Sequence, residues 1–258
     1  MKLYVMGNGI ATDMPREALV SSGAPLDPND VVSIPTTSYL IDHPDGLVLY
    51  DTGWPQRKRS PQKWKIHPEE IILNCLAKLG VSPSDIKYVI CSHLHLDHAG
   101  YLEFFKDSEI LVSESEFTNV AKLYMLDQLG PHYVKKDIEE WIRIGLKWRL
   151  IGDAGKVVDF LDGIKILSYG SGHAFGMLAL LVQLPKTGNI ILTSDAIYCQ
   201  ENVGPPIRLP GVVRDPEGCE QIIKNLIQRA QEYNAQLWYG HDMEQFKGLI
   251  KFEQGYYE

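Results

Sequence analysis

Short apolar runs rich in β-branched residues recur along the chain at spacings that read as strands. In the first half they fall at Lys2–Met6, Ser38–Ile41, Leu47–Asp51, Tyr88–Ser92 and Ile110–Ser113. In the second half they fall at Lys156–Phe160, Ile164–Tyr169, Met177–Gln183, Ile190–Thr193 and Gln236–Tyr239. Turn signals separate them: Asp45-Gly46 before Leu47, Asp162-Gly163 before Ile164, and Lys186-Thr187-Gly188-Asn189 before Ile190. Helical periodicity fills the gaps. Pro68–Leu79 opens on Pro-Glu-Glu and stops at Gly80; Ser115–Leu129 and Lys136–Trp148 are broken by Gly130-Pro131; Pro216–Tyr233 is a long amphipathic helix. Most of these helices follow strands that pair by hairpins, so the order is not that of a simple doubly wound parallel sheet. Two sheets packed face to face, with helices outside both, fit it. Periodicity alone reaches no further than a layered α/β fold.

Length and composition narrow the class. The 258 residues suit a single α/β domain spanning 1–258. Apolar residues at 45% and charged residues at 22% exclude a disordered, collagen-like or coiled-coil chain. A net charge of −8 argues against a nucleic-acid partner, because the cations that displace counterions from phosphates are lacking. Cys75, Cys91, Cys199 and Cys219 form no C-x-x-C pair and read as free thiols of a reducing compartment. Gly7-Asn8-Gly9 interrupts the first apolar run too early for a secretory segment, and no run approaches the roughly 18 residues of a membrane span. The expectation is a cytoplasmic protein with no membrane partner.

The chemistry concentrates at Cys91-Ser92-His93-Leu94-His95-Leu96-Asp97-His98-Ala99-Gly100, which follows the apolar strand through Ile90. Imidazole and carboxylate at this density are ligands for zinc, iron, cobalt or manganese, and core packing does not explain them. In extended backbone His93 and His95 point the same way and can grip one ion. Asp97 and His98, where the chain turns, can address a second. A structural zinc site is disfavoured because no cysteine pair is near. Further ligands must come from elsewhere, and His173, Asp195 and His241 each lie just past a predicted strand. Strand ends opening onto one edge can bring them together. His43 reads as a hairpin turn, and His67 and His132, each beside a proline, as surface or pocket residues.

With these residues in view the sequence resembles the metallo-β-lactamase superfamily. The H-x-H-x-D-H signature at 93–98, Asp51-Thr52-Gly53, Gly172-His173, Asp195 and Gly240-His241 occur in the order of that superfamily. The resemblance implies an αββα sandwich: two mixed sheets face to face, helices on both outer faces, metals at one edge. It implies one divalent transition-metal ion held by His93, His95, His173 and Asp195, and a second by Asp97, His98, Asp195 and His241, with a hydroxide bridging them. Zinc comes first among the metals; iron, cobalt and manganese are alternatives. Within the superfamily the chain looks most like the quorum-quenching N-acyl-homoserine lactonases. Tyr198 stands three residues after Asp195, Gly240–Gln245 reads G-H-D-M-E-Q, Gly170–Leu178 reads G-S-G-H-A-F-G-M-L, and the tail ends G-Y-Y-E. The segment between Gly7 and Ile34 departs from those lactonases, which touches acyl-chain preference more than the reaction.

The resemblance thus implies a metal-dependent lactonase, a carboxylic ester hydrolase, that opens the ring of a small-molecule acyl lactone by attack of the bridging hydroxide. Tyr198 would donate to the carbonyl oxygen, Asp97 or Asp195 would relay the proton, and Asp51 would orient a ligand histidine. Tyr101, Phe105, Phe175 and Met177 line an acyl pocket or belong to the core. The tyrosine-rich tail and the N-terminal segment hint at a homodimer. A glyoxalase II-like thioesterase, or another ester hydrolase on the same scaffold, is the alternative. A tRNA-processing ribonuclease fits the charge poorly. Many β-lactam hydrolases place a cysteine where this chain has Asp195, and flavodiiron proteins commonly place a glutamate where His95 stands. A sequestering protein without turnover is disfavoured, because all seven ligand positions are filled.

Overall fold

The computed structural model describes residues 1–21, 27, 29–55, 64–152 and 155–258. Two sheets face each other. The larger has seven strands: β1 (Lys2–Pro15), β2 (Val31–Asp42), β3 (Leu47–Tyr50), β4 (Trp64–Lys65), β5 (Ile86–Ile90), β6 (Glu109–Ser113) and β7 (Lys147–Ile151), in the order β4-β1-β2-β3-β5-β6-β7. Its first part is antiparallel, and β3, β5, β6 and β7 run parallel. The smaller sheet holds β8 (Lys156–Leu161), β9 (Ile164–Tyr169), β10 (Met177–Leu184), β11 (Gly188–Ser194) and β12 (Ala235–Tyr239) in the order β12-β11-β10-β9-β8. It is antiparallel except for β11 and β12.

The layering follows from the two-residue period of a strand. In β10, Leu178, Leu180 and Val182 face the other sheet and meet Val5, Ile41, Val48 and Ile90 in the central core. The alternate residues Ala179 and Leu181 face outward, onto Cys219, Ile222, Ile223 and Leu226 of the long helix Pro216–Glu232. Both faces are covered, which is why β10 reads as an unbroken apolar run. The larger sheet is covered likewise by helices Ile72–Lys78, Glu114–Met125 and Lys135–Ile144, through Cys75, Leu76, Val120, Ile138 and Trp141. The architecture is the αββα sandwich expected from the resemblance, with mixed sheets. Among the described residues no helix is long and apolar enough to cross a membrane.

Some boundaries differ from expectation. The predicted helix Lys136–Trp148 stops at Ile144, because Gly145 adopts the left-handed conformation (φ +69°) that closes a helix. Trp148 then lies in a strand missed in the sequence, β7, opposite Ile110. The predicted helix Pro68–Leu79 divides into a single turn, Pro68–Glu70, and the helix Ile72–Lys78, with extended backbone at Ile71. The Glu70 side chain turns back to the His67 amide, and the Glu70 carbonyl accepts from the buried Asn8 amide. Those bonds satisfy groups that a continuous helix would use. Strand β1 passes through Gly7-Asn8-Gly9, where the sequence suggested a stop, by shifting register between Gly7 and Ile10. The four cysteines are buried free thiols.

Leu180 sits fully buried between the sheets. Leu180→Ala is expected to lower unfolding free energy by about 2–5 kcal/mol, read as a lower urea midpoint at unchanged slope.

Candidate active site

Five strand ends deliver the candidate residues to one edge. Asp51 follows β3, β5 runs into the His93–His98 loop, the β9–β10 connection carries His173, Asp195 follows β11 and His241 lies two residues past β12. The motif itself is a loop and turn, not a continued strand; the His98 and Ala99 amides both bond the His95 carbonyl. Asp51-Thr52-Gly53 clamps this loop. Thr52 amide and hydroxyl both donate to the His98 carbonyl, and the Gly100 amide donates to the Gly53 carbonyl. A Cβ at Gly100 would stand 2.5 Å from that Gly53 oxygen, so only glycine permits the approach.

All seven predicted ligands converge. His173 Nε2 lies 3.2 Å from His93 Nε2 and 3.0 Å from His95 Nδ1. Nitrogens bound at about 2.0–2.1 Å to a tetrahedral ion stand about 3.3 Å apart, so this spacing fits an ion among the three. Asp97, His98 and His241 form a second group. Asp195 lies between the groups: its Oδ2 is 3.2 Å from His173 Nε2, and its Oδ1 is 3.0 Å from His98 Nε2 and 3.1 Å from His241 Nε2. Yet His98 Nε2 and Asp195 Oδ1 are buried with no hydrogen-bond partner. Orphaned polar atoms at this depth are costly, and a cation in contact with both removes the cost. The donor set therefore implies divalent metal ions.

The far side of four of the five rings is anchored. His98 Nδ1 donates to Asp51 Oδ2 (2.8 Å), His173 Nδ1 to the Val212 carbonyl (2.8 Å) and His241 Nδ1 to the Pro35 carbonyl (2.8 Å), while His93 Nδ1 meets Ser92 Oγ (2.9 Å). Each bond fixes the ring's orientation and leaves its other nitrogen facing the site. Asp51 also accepts from the Ser92 amide and hydroxyl. It reaches this position with φ +60°, and Ser194 beside Asp195 has φ +45°. Left-handed backbone at two non-glycine residues beside the site is strain that the surrounding bonds hold.

The electrostatics agree. Burial, followed by neighbouring imidazoles, holds His93 and His95 well below the usual histidine range, so both present neutral lone pairs. Burial also opposes charge on His98, but Asp195, Asp97 and Asp51 together outweigh it and hold its pKa well above that range. The same negative field attracts a cation. Asp195 stays ionised despite burial, because His241, His98 and His173 stabilise its charge. Burial, then Asp195 and Asp97, push the Tyr198 phenol well above its usual value; it keeps its proton and can donate. Tyr198 Oη stands 3.4 Å from His173 Nδ1.

The site opens into a cleft of about 210 Å³ lined by Met14, Ala18, Ile34, Trp54, Tyr198 and Val212, among others. A second lobe of about 470 Å³ reaches His95 and His173 from the other side, past His132, Tyr133, Phe175 and Arg214. Of the residues left open between pocket and core, Phe105 and Met177 are fully buried core. Phe175 lines the second lobe, with the Arg214 guanidinium 3.4 Å above its ring. Tyr101 packs on the outer core. His132 is a pocket residue, His67 is exposed, and His43 is a buried turn residue bonded to the Asp162 carbonyl. Sequence reasoning missed Glu116, which is fully buried and accepts from the Leu94 and Phe175 amides and the Tyr133 hydroxyl. Its signal was a carboxylate four residues before Val120, on the face of the helix that must be apolar.

Fold and site define a metal-dependent protein of metallo-β-lactamase type. The family model described as "Metallo-beta-lactamase superfamily" matches residues 33–116. The N-acyl homoserine lactonase AiiB of Agrobacterium fabrum is 35% identical over the whole chain and 99% of its own length. The N-acyl homoserine lactonase AiiA of Bacillus thuringiensis subsp. kurstaki is 29% identical over 91% of this chain and 92% of its own. A crystal structure of a quorum-quenching N-acyl homoserine lactone lactonase superposes with a TM-score of 0.82 at 29% identity, covering 100% of this chain and 98% of that one. The chain belongs to the N-acyl homoserine lactonase family of the metallo-β-lactamase superfamily.

Burial pushes the Glu116 carboxyl up to about 7, against the bonds it accepts. The folded chain then holds this proton more tightly than the unfolded chain. Glu116 therefore costs the metal-free protein stability as pH rises from the ordinary carboxyl value through 7, by at most about 3 kcal/mol. Glu116→Gln is expected to flatten that part of the profile when denaturant unfolding is followed from pH 5 to pH 8; an unchanged slope contradicts the assignment.

Proposed function

We propose that this chain opens the lactone ring of N-acyl-homoserine lactones at a centre of two divalent transition-metal ions, zinc foremost. The observation that carries the reading is Asp195, whose two oxygens face two different sets of imidazole nitrogens. The relatives are N-acyl homoserine lactonases, and a structural neighbour at 28% identity and TM-score 0.81 has N-hexanoyl-L-homoserine bound at its catalytic metal centre; both support the substrate class. In this reading His93, His95, His173 and Asp195 hold one ion, and Asp97, His98, His241 and Asp195 hold the other.

When bound, the ions supply Lewis acidity, which makes water an effective nucleophile near neutral pH and polarises the ester carbonyl. The chain supplies the rest. Tyr198, protonated and buried at the cleft wall, donates to the carbonyl oxygen as negative charge develops there. Water adds to the carbonyl carbon, the ring C–O bond breaks, and the leaving oxygen takes a proton. Asp97 is the better carrier of that proton. Its side chain is 15% exposed and lines the cleft, whereas Asp195, at 2%, is buried with both oxygens turned toward imidazole nitrogens. The product is a hydroxy acid that ionises, so each turnover releases one proton.

That proton gives the assay. The metal-loaded enzyme is expected to acidify a weakly buffered indicator solution with N-acyl-homoserine lactones and to act far more slowly on a glutathione thioester. Tyr198→Phe should lower kcat by about 10²–10³. Asp195→Asn should lose more, since both ligand sets lose an oxygen. Acid release that is equal in wild type and Asp195→Asn, or faster on the thioester than on any lactone, sinks the assignment.

A further inference from the structure

Two buried carboxylates stand behind the site without facing its centre. Asp51 bonds His98 Nδ1 directly and reaches His93 Nδ1 through the Ser92 hydroxyl, so it supports rings of both ligand sets. Glu116 touches none of the seven ligands. It is fully buried on the helix Glu114–Met125, behind the half built from His93, His95 and His173.

Glu116 Oε1 accepts from the Leu94 amide at 3.0 Å, the peptide between His93 and His95. Glu116 Oε2 accepts from the Phe175 amide at 2.9 Å, two residues past His173, and the Gly176 amide also donates to this carboxylate. The Tyr133 hydroxyl donates to Oε1 at 3.1 Å; its neighbour His132 holds the Leu96 amide through its carbonyl. One side chain therefore ties three separate loops, from both sheets, that together place three imidazoles. The docking is close: Ser115 Oγ donates to the Phe175 carbonyl, and a Cβ at Gly176 would stand 2.0 Å from Ser113 Oγ. A carboxylate suits this position because both oxygens accept. A glutamine has one accepting oxygen, so its NH2 group must face either the Leu94 or the Phe175 amide, and one loop comes loose.

We propose that Glu116 is the positioning residue of the three-imidazole ligand set, acting independently of Asp51, so that its loss weakens the ion at that set and spares the other. The proposal rests on the two-ion reading above. The prediction is selective loss of one ion, whereas a general packing defect weakens both.

The test reads metal binding, not turnover. Metal-free wild type, Glu116→Gln, Tyr133→Phe and Asp51→Asn are titrated with cobalt(II) against a competing chelator, with visible absorption followed and folding checked by circular dichroism. Wild type is expected to take two equivalents; fewer than two defeats the two-ion reading itself. Given two, Glu116→Gln should hold one ion at wild-type affinity and bind the other about 10–100-fold more weakly. Tyr133→Phe, which removes one of the donors, should move the same ion by less and serves if Glu116→Gln fails to fold. Asp51→Asn, whose carboxylate supports rings of both sets, should weaken both ions, the pattern that Glu116→Gln must not show. Equal weakening of both ions in Glu116→Gln, or wild-type affinities in both Glu116→Gln and Tyr133→Phe, each overturn the proposal.

Discussion

A single carboxylate, Asp195, faces imidazole nitrogens on both of its oxygens at the junction of two sheets, and the rest of the molecule holds that opposition in place. Five imidazoles and two carboxylates directed at a common volume, nearly all buried, lose hydration that their mutual contacts do not return. Left to themselves such side chains turn away or protonate. Here they are prevented from turning by bonds on their outer atoms, to Asp51, Ser92, Val212 and Pro35. The orphaned His98 Nε2 and Asp195 Oδ1 show what those bonds leave unsatisfied. A cation answers the resulting field. The apoprotein is accordingly expected to be less stable than the loaded one, because ion binding is linked to the folded arrangement.

The sandwich makes this possible by division of labour. One sheet supplies Asp51 and the His93–His98 loop; the other supplies His173, Asp195 and His241. Neither sheet alone carries a complete ligand set. The two are registered by the interleaved core of Leu178, Leu180 and Val182 against Val5, Ile41 and Ile90. At the site they are registered again by polar bonds: Ser194 Oγ lies 2.9 Å from Ser92 Oγ and 3.3 Å from Asp51 Oδ2. A slip of one sheet against the other would separate Asp195 from the motif before it exposed much apolar surface. Core packing here sets the precision of the site as well as stability.

What was legible in the sequence follows from the same division. The His93–His98 cluster was visible because four metal-capable side chains lie within six residues, a density that packing does not produce. His173, Asp195 and His241 were visible because strand ends are where such residues gather. The β10 run and the helix Pro216–Glu232 were legible because period and burial agree. Glu116 was not, because a glutamate near the start of a helix has an ordinary reason to be there: carboxylates favour the first turn. Its partners are the Tyr133 hydroxyl and the backbone amides of residues 94 and 175, and backbone amides carry no side-chain signature. Trp148 was misplaced for a related reason. A tryptophan spaced for a helix face also fits an edge strand, and only the left-handed Gly145 decides between them.

The cleft separates what is locked from what is free to vary. Its floor is the ligand shell, tied into both cores. Its roof includes Met14, Ala18 and Ile34, from β1, the turn Arg16–Ala18 and β2. Met14 and Ile34 are held by the pairing of β1 with β2, while Arg16 in the turn forms ion pairs with Asp30 and Glu201, all partly exposed, and Glu201 also pairs with Arg208. Exposed pairs of this kind contribute little each and are screened by salt. Substitutions in the roof can therefore reshape the space beside Tyr198 without moving Asp195. Changes to the floor cannot be so confined, since four of its five rings are fixed from behind by hydrogen bonds.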